Sequence, residues 1–228
     1  DEAIQRYAPS CQTPQELFEK LAVEDIQSAA DLFRSVYDDT RGRDGFVSLE
    51  VPPELAHDPK GTHAGALRLH ALVGRPNVMI KIPGTKAALP AIEETIAAGI
   101  PVNVTLLFSQ QRYAQVIEAF LKGLERRARQ GKDISKVASV ASFFVSRVDT
   151  SVDSQLESLG KSGLAGQAAI ANAKLAYQIY KREFSSPRFA ALKERGAQAQ
   201  RLLWASTGTK NQNFKDVLYV EELIGDNT

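Results

Sequence analysis

The chain has 228 residues, which is enough for one substantial domain with a single large core. Hydrophobic residues make up 43% and charged residues 24%, and 28 basic against 27 acidic side chains leave a net charge of +1. This balance gives no reason to expect nucleic acid or a membrane as a partner, whereas a small cluster of cations for a phosphorylated molecule is compatible with it.

Short runs rich in β-branched and aromatic residues alternate with segments of helical periodicity. The predicted strands are residues 46–51, 77–83, 102–108, 137–145, 202–207 and 217–223. The predicted helices, whose apolar residues recur along one stripe, are 14–37, 87–98, 109–130 and 164–184. Ser109 is a candidate N-cap, and glycines 74, 99, 131 and 196 follow helical runs, where a left-handed residue is expected.

The alternation predicts the α/β class with a parallel sheet, and two layouts are open: a (β/α)8 TIM barrel and a doubly wound sheet. The usual mark of the second layout, a glycine-rich phosphate turn, is missing, because no GxGxxG or GxxxxGK[ST] occurs. Polar residues also lie in or at the ends of many strands, and a barrel gathers strand ends around one axis. These residues favour the barrel: Glu50, Lys81, Asn103, Thr105, Ser142 and Ser206.

Lys81 interrupts the apolar run VMIKIP, where Ile80 and Ile82 flank it. A lysine in an apolar, partly dry site prefers its neutral form, because burial penalises the ammonium. A neutral amine can attack a ketone and form an imine. The alternative is a strand-end lysine whose ammonium reaches solvent, and this strand alone leaves that alternative open.

Two further strands carry groups that suit the same chemistry. Glu50 is the one ionisable residue in FVSLEV, and a carboxylate there can move protons, although a surface glutamate is the alternative. In VNVTLL the alternation places Asn103 and Thr105 on one face, where they can orient substrate hydroxyls or a catalytic water. The alternative for this pair is hydrogen bonding within the strand.

Two cationic positions come late in the chain. Arg147 follows the strand that contains Ser142, and Lys210 follows the segment Ser206-Thr207-Gly208-Thr209. The loops after the late strands of barrels often hold phosphate through cations, hydroxyls and backbone N–H groups. For Arg147 taken alone, a salt bridge to Asp149 is the simpler interpretation.

The cysteine and histidine content points to neither disulfides nor a metal. Cys11 has no partner for an internal disulfide, which favours the cytoplasm, and His57, His63 and His70 lack metal-ligand companions. No apolar run approaches the ~18 residues of a membrane helix. No linker or composition shift divides the chain, so we interpret residues 1–228 as a single domain.

Five segments resemble transaldolase, especially the long form that occurs alone or fused to glucose-6-phosphate isomerase. They are FVSLEV, NVMIKIPGTKAALPAI, GIPVNVTLLFSQQRY, SVASFFVSRVDTSVD and LLWASTGTKN. The resemblance implies an eightfold barrel of the class I, Schiff-base aldolases that needs no metal or cofactor. It also implies transfer of a dihydroxyacetone unit from sedoheptulose 7-phosphate to glyceraldehyde 3-phosphate in the pentose phosphate pathway.

The resemblance implies a role for each residue that matches the catalytic motifs. Lys81 carries the imine, Glu50 is the proton-transfer acid, Thr105 holds the catalytic water, and Asn103 contacts the bound substrate.

By the same resemblance, the other matching positions are expected to bind substrate. Ser142 lines the substrate site, and Arg147, Ser206 and Lys210 match the phosphate site, although many relatives have arginine where Lys210 stands.

Two departures bear on these expectations. Most members of the family carry a glycine near position 88, where this chain has Ala87 and Ala88. The family also begins with two strands that bear a catalytic aspartate and a Thr-Ser-Asn-Pro motif, neither of which occurs here, and residues 217–223 are predicted to be a strand cut at its end. We therefore expect strands three to eight of a barrel, incomplete at both ends and weak, inactive or poorly folded in isolation.

Two alternative functions remain. A fructose-6-phosphate aldolase-like enzyme would break or form the same bond without transfer. A non-catalytic, phosphate-binding barrel would have no need of the combination of Lys81, Glu50 and Thr105, which argues against it.

Overall fold

Five strands form one parallel sheet in the computed structural model of the protein, which describes residues 2–225. The strands are β1 Val47–Glu50, β2 Val78–Pro83, β3 Val102–Leu107, β4 Ser139–Phe144 and β5 Arg201–Ala205. Each strand pairs with the next along the chain, in the order β1-β2-β3-β4-β5. A doubly wound sheet reverses its strand order, whereas a barrel does not. The α/β class is confirmed, and the sheet is consistent with part of a (β/α)8 barrel.

Ten α-helices occur in the described part of the chain, and they precede, connect or follow the strands. They are α1 Glu2–Tyr7, α2 Pro14–Leu32, α3 Arg34–Asp39, α4 Pro59–Val73, α5 Leu89–Ala98, α6 Gln110–Arg129, α7 Ser146–Ser158, α8 Ala168–Phe184, α9 Pro187–Lys193 and α10 Leu218–Leu223. Short 3₁₀ turns lie at Ala8–Ser10, Pro53–His57 and Ser162–Leu164. Within residues 2–225, every helix is too short or too polar to cross a membrane.

Local capping explains where several helices begin and end. The Ser109 hydroxyl accepts a hydrogen bond from the backbone N–H of Arg112, as the sequence predicted, and so starts α6. Gly74 and Gly99 end α4 and α5 with φ of 59° and 92°, in the left-handed region that glycine reaches without steric cost. The predicted glycine positions are therefore confirmed for these two helices.

The predicted helix over residues 14–37 is broken at Phe33, whose ψ of 2° lies outside the helical region. Beyond the break, the ring of Tyr37 on α3 packs edge-on against Phe46, which precedes β1, at a centroid distance of 5.2 Å. A continuous helical stripe could not predict this break, because the contact that accompanies it joins residues on different elements.

Leu218–Leu223 form helix α10, so the predicted strand over residues 217–223 is wrong. The run is rich in valine and tyrosine, which favours a strand locally. However, Tyr219 and Leu223 are spaced by four and are both buried, in a cluster with Val145 and Ala173. Packing of one helical face against α8 overrides the local preference.

The main core lies between the helices and one face of the sheet, which we call the outer face. Val78, Ile80 and Ile82 on β2, with Val102 and Val104 on β3, are fully buried there against residues from α4, α5 and α6. The opposite, inner face is the one that would line a barrel. Arg201, at the start of β5, lies 3.9 Å from Asp44, which precedes β1, so the sheet curves until these two ends approach each other.

Candidate active site

Strand register brings three of the predicted residues together on the inner face of the sheet. Glu50 on β1 is paired with Lys81 on β2, and Lys81 is paired with Asn103 on β3. Because side chains alternate along a strand, all three lie opposite the buried outer-face residues. No local signal in the sequence predicts which residues of neighbouring strands pair, and the register supplies this information.

The Lys81 amine forms an ion pair with the carboxylate of Glu50, with Nζ 3.2 Å from Oε2. The Lys81 side chain is 31% exposed and that of Glu50 is 43% exposed. The sequence predicted a partly dry site, whereas the described residues leave both charges in contact with solvent. The distance nonetheless allows a direct proton transfer between the two groups.

Asn103 is held at both ends of its side-chain amide. Its Nδ2 donates to the hydroxyl of Ser48 at 3.1 Å, and the hydroxyl of Ser142 donates to its Oδ1 at 2.8 Å. Asn103 and Ser142 were both predicted as substrate-binding residues, and the structure joins them directly. Ser48 was missed, although the alternation in FVSLEV places it on the same face as Glu50.

Thr105 lies two residues beyond Asn103 on the same face, and its side chain is almost fully buried. Within residues 2–225, its hydroxyl oxygen has no hydrogen-bond partner. A buried hydroxyl without a partner destabilises a protein, so such groups usually bind an ordered water or serve a function. The alternative prediction for this pair, a hydrogen bond between Asn103 and Thr105, is not found within the described residues.

The backbone beyond Thr105 is irregular. Leu106 has a φ of 60°, and the pairing of β3 with β4 shifts between Val104 and Leu107. A left-handed leucine is strained by about 1–3 kcal/mol, and such strain often occurs at functional sites.

Residues predicted to bind phosphate follow the ends of β4 and β5. The hydroxyls of Ser206 and Ser146 are 2.8 Å apart, and the N–H of Ser146 donates to the carbonyl of Ser206 at 3.0 Å. The guanidinium carbon of Arg147 lies 4.9 Å from the ring centroid of Phe144. Arg147 lies in the first turn of α7, next in sequence to Ser146, one member of this hydroxyl pair.

The salt bridge between Arg147 and Asp149 that the sequence suggested does not form. The Asp149 carboxylate accepts hydrogen bonds from the N–H of Ala169 at 2.7 Å and from the hydroxyl of Tyr219 at 2.8 Å. Burial raises the pKa of Asp149 above its ordinary value, although these two hydrogen bonds oppose the shift. Arg147 itself has no ion pair within the described residues.

Lys210 lines a cavity of about 570 Å³ between α7 and the segment that follows β5. Asp149, Asp153 and Glu157 line the same cavity, as does Ser146, which links it to Ser206. Among the described residues that line the cavity, Arg147 is absent. Lys210 is thus connected to Ser206 through Ser146, but the structure does not bring Lys210 and Arg147 into one cavity.

The described residues contain no cluster of three histidine, cysteine or acidic side chains with metal-binding geometry. The ring Nδ1 of His63 lies 3.1 Å from the hydroxyl of Thr95, and burial lowers the pKa of His70. Both histidines are accounted for by packing and hydrogen bonding.

A lysine, a carboxylate and an amide thus lie together on the inner face of a parallel sheet. Comparison of the chain with models of known protein families agrees with this arrangement. The family model for transaldolase/fructose-6-phosphate aldolase matches residues 1–228. The chain belongs to this family. The family resemblance seen in the sequence is thereby confirmed.

Three bacterial transaldolases illustrate the similarity. Transaldolase 1 of Streptomyces coelicolor is 54% identical over 219 residues, which cover 95% of this chain and 58% of that protein. The transaldolase of Trichodesmium erythraeum is 49% identical, with coverage of 93% and 59%. The transaldolase of Mycobacterium leprae is 51% identical, with coverage of 91% and 56%. The chain spans less than two thirds of the length of these relatives.

Proposed function

We propose that the protein is a transaldolase, which moves a dihydroxyacetone unit from sedoheptulose 7-phosphate to glyceraldehyde 3-phosphate through an imine on Lys81. The observation that carries the proposal is the distance of 3.2 Å between the Lys81 amine and the Glu50 carboxylate. The pair lies on the inner face beside Asn103, in a chain whose relatives above are named transaldolase.

Imine formation needs a neutral amine and a proton for the oxygen that leaves. Glu50 is close enough to accept a proton from the Lys81 ammonium, after which the amine attacks the carbonyl carbon of the donor sugar. The same carboxyl then returns the proton to the carbinolamine hydroxyl, which departs as water and leaves the imine in its protonated form.

The imine then withdraws electrons from the neighbouring carbon–carbon bond. When the hydroxyl on the far side of that bond loses its proton, the bond breaks, an aldose phosphate leaves, and the electron pair moves to nitrogen to give an enamine. Glu50 receives that proton directly or through a water that Thr105 holds, and the enamine then adds to the acceptor aldehyde. Hydrolysis of the new imine by water releases fructose 6-phosphate and restores the lysine.

Donor hydroxyls are oriented by Asn103 and Ser142, and the phosphate is held by Arg147, Ser206 and Lys210. Arg147 presents a planar guanidinium without a competing carboxylate in the described part of the chain. Lys210 supplies a second cation in the cavity that Ser146 lines, and the hydroxyl of Ser146 is hydrogen-bonded to that of Ser206. The cytoplasmic location and a fused glucose-6-phosphate isomerase domain stay predictions of the sequence.

Borohydride trapping tests the imine in the full-length protein that carries these residues. With fructose 6-phosphate present, we expect a reduced adduct on Lys81 by peptide mass spectrometry, and no adduct on Lys86, which serves as an internal control. Absence of an adduct would contradict the proposal. Adding erythrose 4-phosphate separates the two activities of the family, because only a transferase forms sedoheptulose 7-phosphate.

The phosphate role of Lys210 is tested by Lys210→Ala. We expect a higher KM for phosphorylated sugars with little change in kcat, because the substitution removes uniform binding of the phosphate. An unaltered KM would remove Lys210 from the phosphate site.

A further inference from the structure

A chain of hydrogen bonds crosses the inner face of the sheet from β1 to β4. The hydroxyl of Ser48 accepts from Asn103 Nδ2 at 3.1 Å, and Asn103 Oδ1 accepts from the hydroxyl of Ser142 at 2.8 Å. Ser48 and Asn103 belong to strands that are not neighbours, because β2 lies between them. Their hydrogen bond therefore passes over the inner face of β2.

Strand register locates this crossing. Ser48 is paired with Met79, and Asn103 is paired with Lys81, so the bond passes between these two consecutive inner-face residues of β2. Met79 is 2% exposed and belongs to an apolar cluster with Ala138. The bond thus lies at the boundary between that cluster and the polar site, next to the base of the Lys81 side chain.

The amide of Asn103 depends on these partners for its orientation. The terminal torsion of an asparagine is broad and sets the plane of the amide only weakly. Ser48 uses one of the two N–H groups and Ser142 uses one acceptor position of the oxygen, which leaves one N–H and one lone pair for a ligand. Loss of either serine leaves the amide held at one end only.

We propose that Ser48 is a positioning residue, which acts through Asn103 to orient the donor sugar beside Lys81. This inference rests on the proposed function, because it takes the ligand of Asn103 to be the sugar that forms the imine. Ser48 precedes Glu50 by two residues on the same face, so β1 supplies both the proton-transfer group and the support for Asn103.

The first experiment compares Ser48→Ala with Ser48→Thr in the full-length protein. We expect Ser48→Ala to lower kcat/KM for fructose 6-phosphate roughly tenfold, as loss of one orienting hydrogen bond predicts, while KM for erythrose 4-phosphate is unchanged. Ser48→Thr keeps a hydroxyl and should restore most of the activity. Ser28→Ala, on the exposed surface of α2, is the matched control and should leave both constants unchanged.

The second experiment separates positioning from a general structural role. If Ser48 acts only through Asn103, Ser48→Ala should have no further effect, within about twofold, in a protein that already carries Asn103→Ala. An additional tenfold loss in that background would overturn the inference, and so would wild-type kinetics of the single variant.

Borohydride trapping in every variant distinguishes a failure of the role of Ser48 from a failure of the proposed function. An adduct on Lys81 in the wild type together with unaffected Ser48→Ala kinetics refutes the role of Ser48 and leaves the proposed function standing. No adduct in the wild type overturns the proposed function and the role of Ser48 with it.

Discussion

The two faces of the five-stranded sheet differ in the burial and the charge of their side chains. On the outer face of β2, Val78, Ile80 and Ile82 are fully buried against helices, and their chemistry is uniform. On the inner face of the same strand, Lys81 is partly exposed and charged, and its neighbours across the sheet are Glu50 and Asn103. Burial of the apolar side chains on the outer face stabilises the fold. The outer face can therefore hold the polar groups of the inner face in place, although those groups add little stability themselves.

Lys81→Arg is expected to have the largest effect on activity and a small one on stability. A guanidinium stays protonated and cannot form an imine, so turnover should fall by roughly 10³-fold or more. The free energy of unfolding should change by less than about 1 kcal/mol, because the ion pair with Glu50 is partly exposed. Steady-state kinetics and urea unfolding measure the two quantities.

Lys86→Arg is the control for that substitution, because Lys86 is exposed and lies five residues along the same segment. It should leave both turnover and stability unchanged. Retention of activity in Lys81→Arg would refute the assignment of the nucleophile.

Ile80→Ala is expected to show the reverse of Lys81→Arg, with a large effect on stability and a small one on activity. Its side chain is fully buried in the main core, and removal of such a side chain costs about 2–5 kcal/mol through lost burial and the cavity left behind. Leu203→Ala is the control on the inner face, since Leu203 is 40% exposed and should cost about 1 kcal/mol. Equal decreases in the free energy of unfolding for the two variants, measured by urea unfolding, would contradict the inference that the outer face contributes more to stability than the inner face.

The same contrast explains how far the sequence could predict the site. Alternation in VNVTLL placed Asn103 and Thr105 on one face correctly, because that property depends only on the period of a strand. The contact between Lys81 and Glu50 depends on register, which relates residues 31 positions apart and has no local signal. The sequence could therefore nominate each residue but could not place the pair at hydrogen-bonding distance.

The errors in the predicted fold also come from contacts between residues far apart in the sequence. The run 217–223 is rich in residues that favour strands, and its helical state depends on burial of Tyr219 and on the hydrogen bond from its hydroxyl to Asp149. That bond joins residues 70 positions apart, and it also takes Asp149 away from Arg147. Local propensity alone could predict neither outcome.

Thr105→Val is expected to move stability and activity in opposite directions. The hydroxyl is buried and has no partner in the described part of the chain, so its removal should raise the free energy of unfolding by about 1 kcal/mol. Turnover should fall roughly tenfold or more, because a water bound there would lose its position. Thermal unfolding and steady-state kinetics of the same preparation measure both changes.

Thr95→Val supplies the control for Thr105→Val, since Thr95 is equally buried but bonded to His63 on the helical side. It should lower stability and leave turnover unchanged. A Thr105→Val protein that is both less stable and fully active would show that the hydroxyl has a structural role only.

Polar groups on the solvent-exposed surface of the helices should contribute least, and Arg188 on α9 tests this. Its guanidinium contacts Glu118 and Glu125 on α6, and it holds the pKa of the Glu118 carboxyl below its usual value through their hydrogen bond. Because the Glu118 side chain is 45% exposed, solvent screens the pair, and we expect Arg188→Met to cost roughly 0.5 kcal/mol at neutral pH. A pKa that is lowered on folding contributes stability above the unfolded value, and this contribution is lost as the pH falls through the folded value.

The difference between the wild type and Arg188→Met should accordingly be largest above about pH 5 and shrink towards pH 3, as Glu118 becomes protonated. Lys193→Met is the control, since Lys193 lies on the same helix and has no ion pair within residues 2–225. Its effect should be small and independent of pH. A loss for Arg188→Met as large as that for Ile80→Ala would mean that ion pairs between the helices, and not the apolar outer face of the sheet, hold the inner-face residues in position.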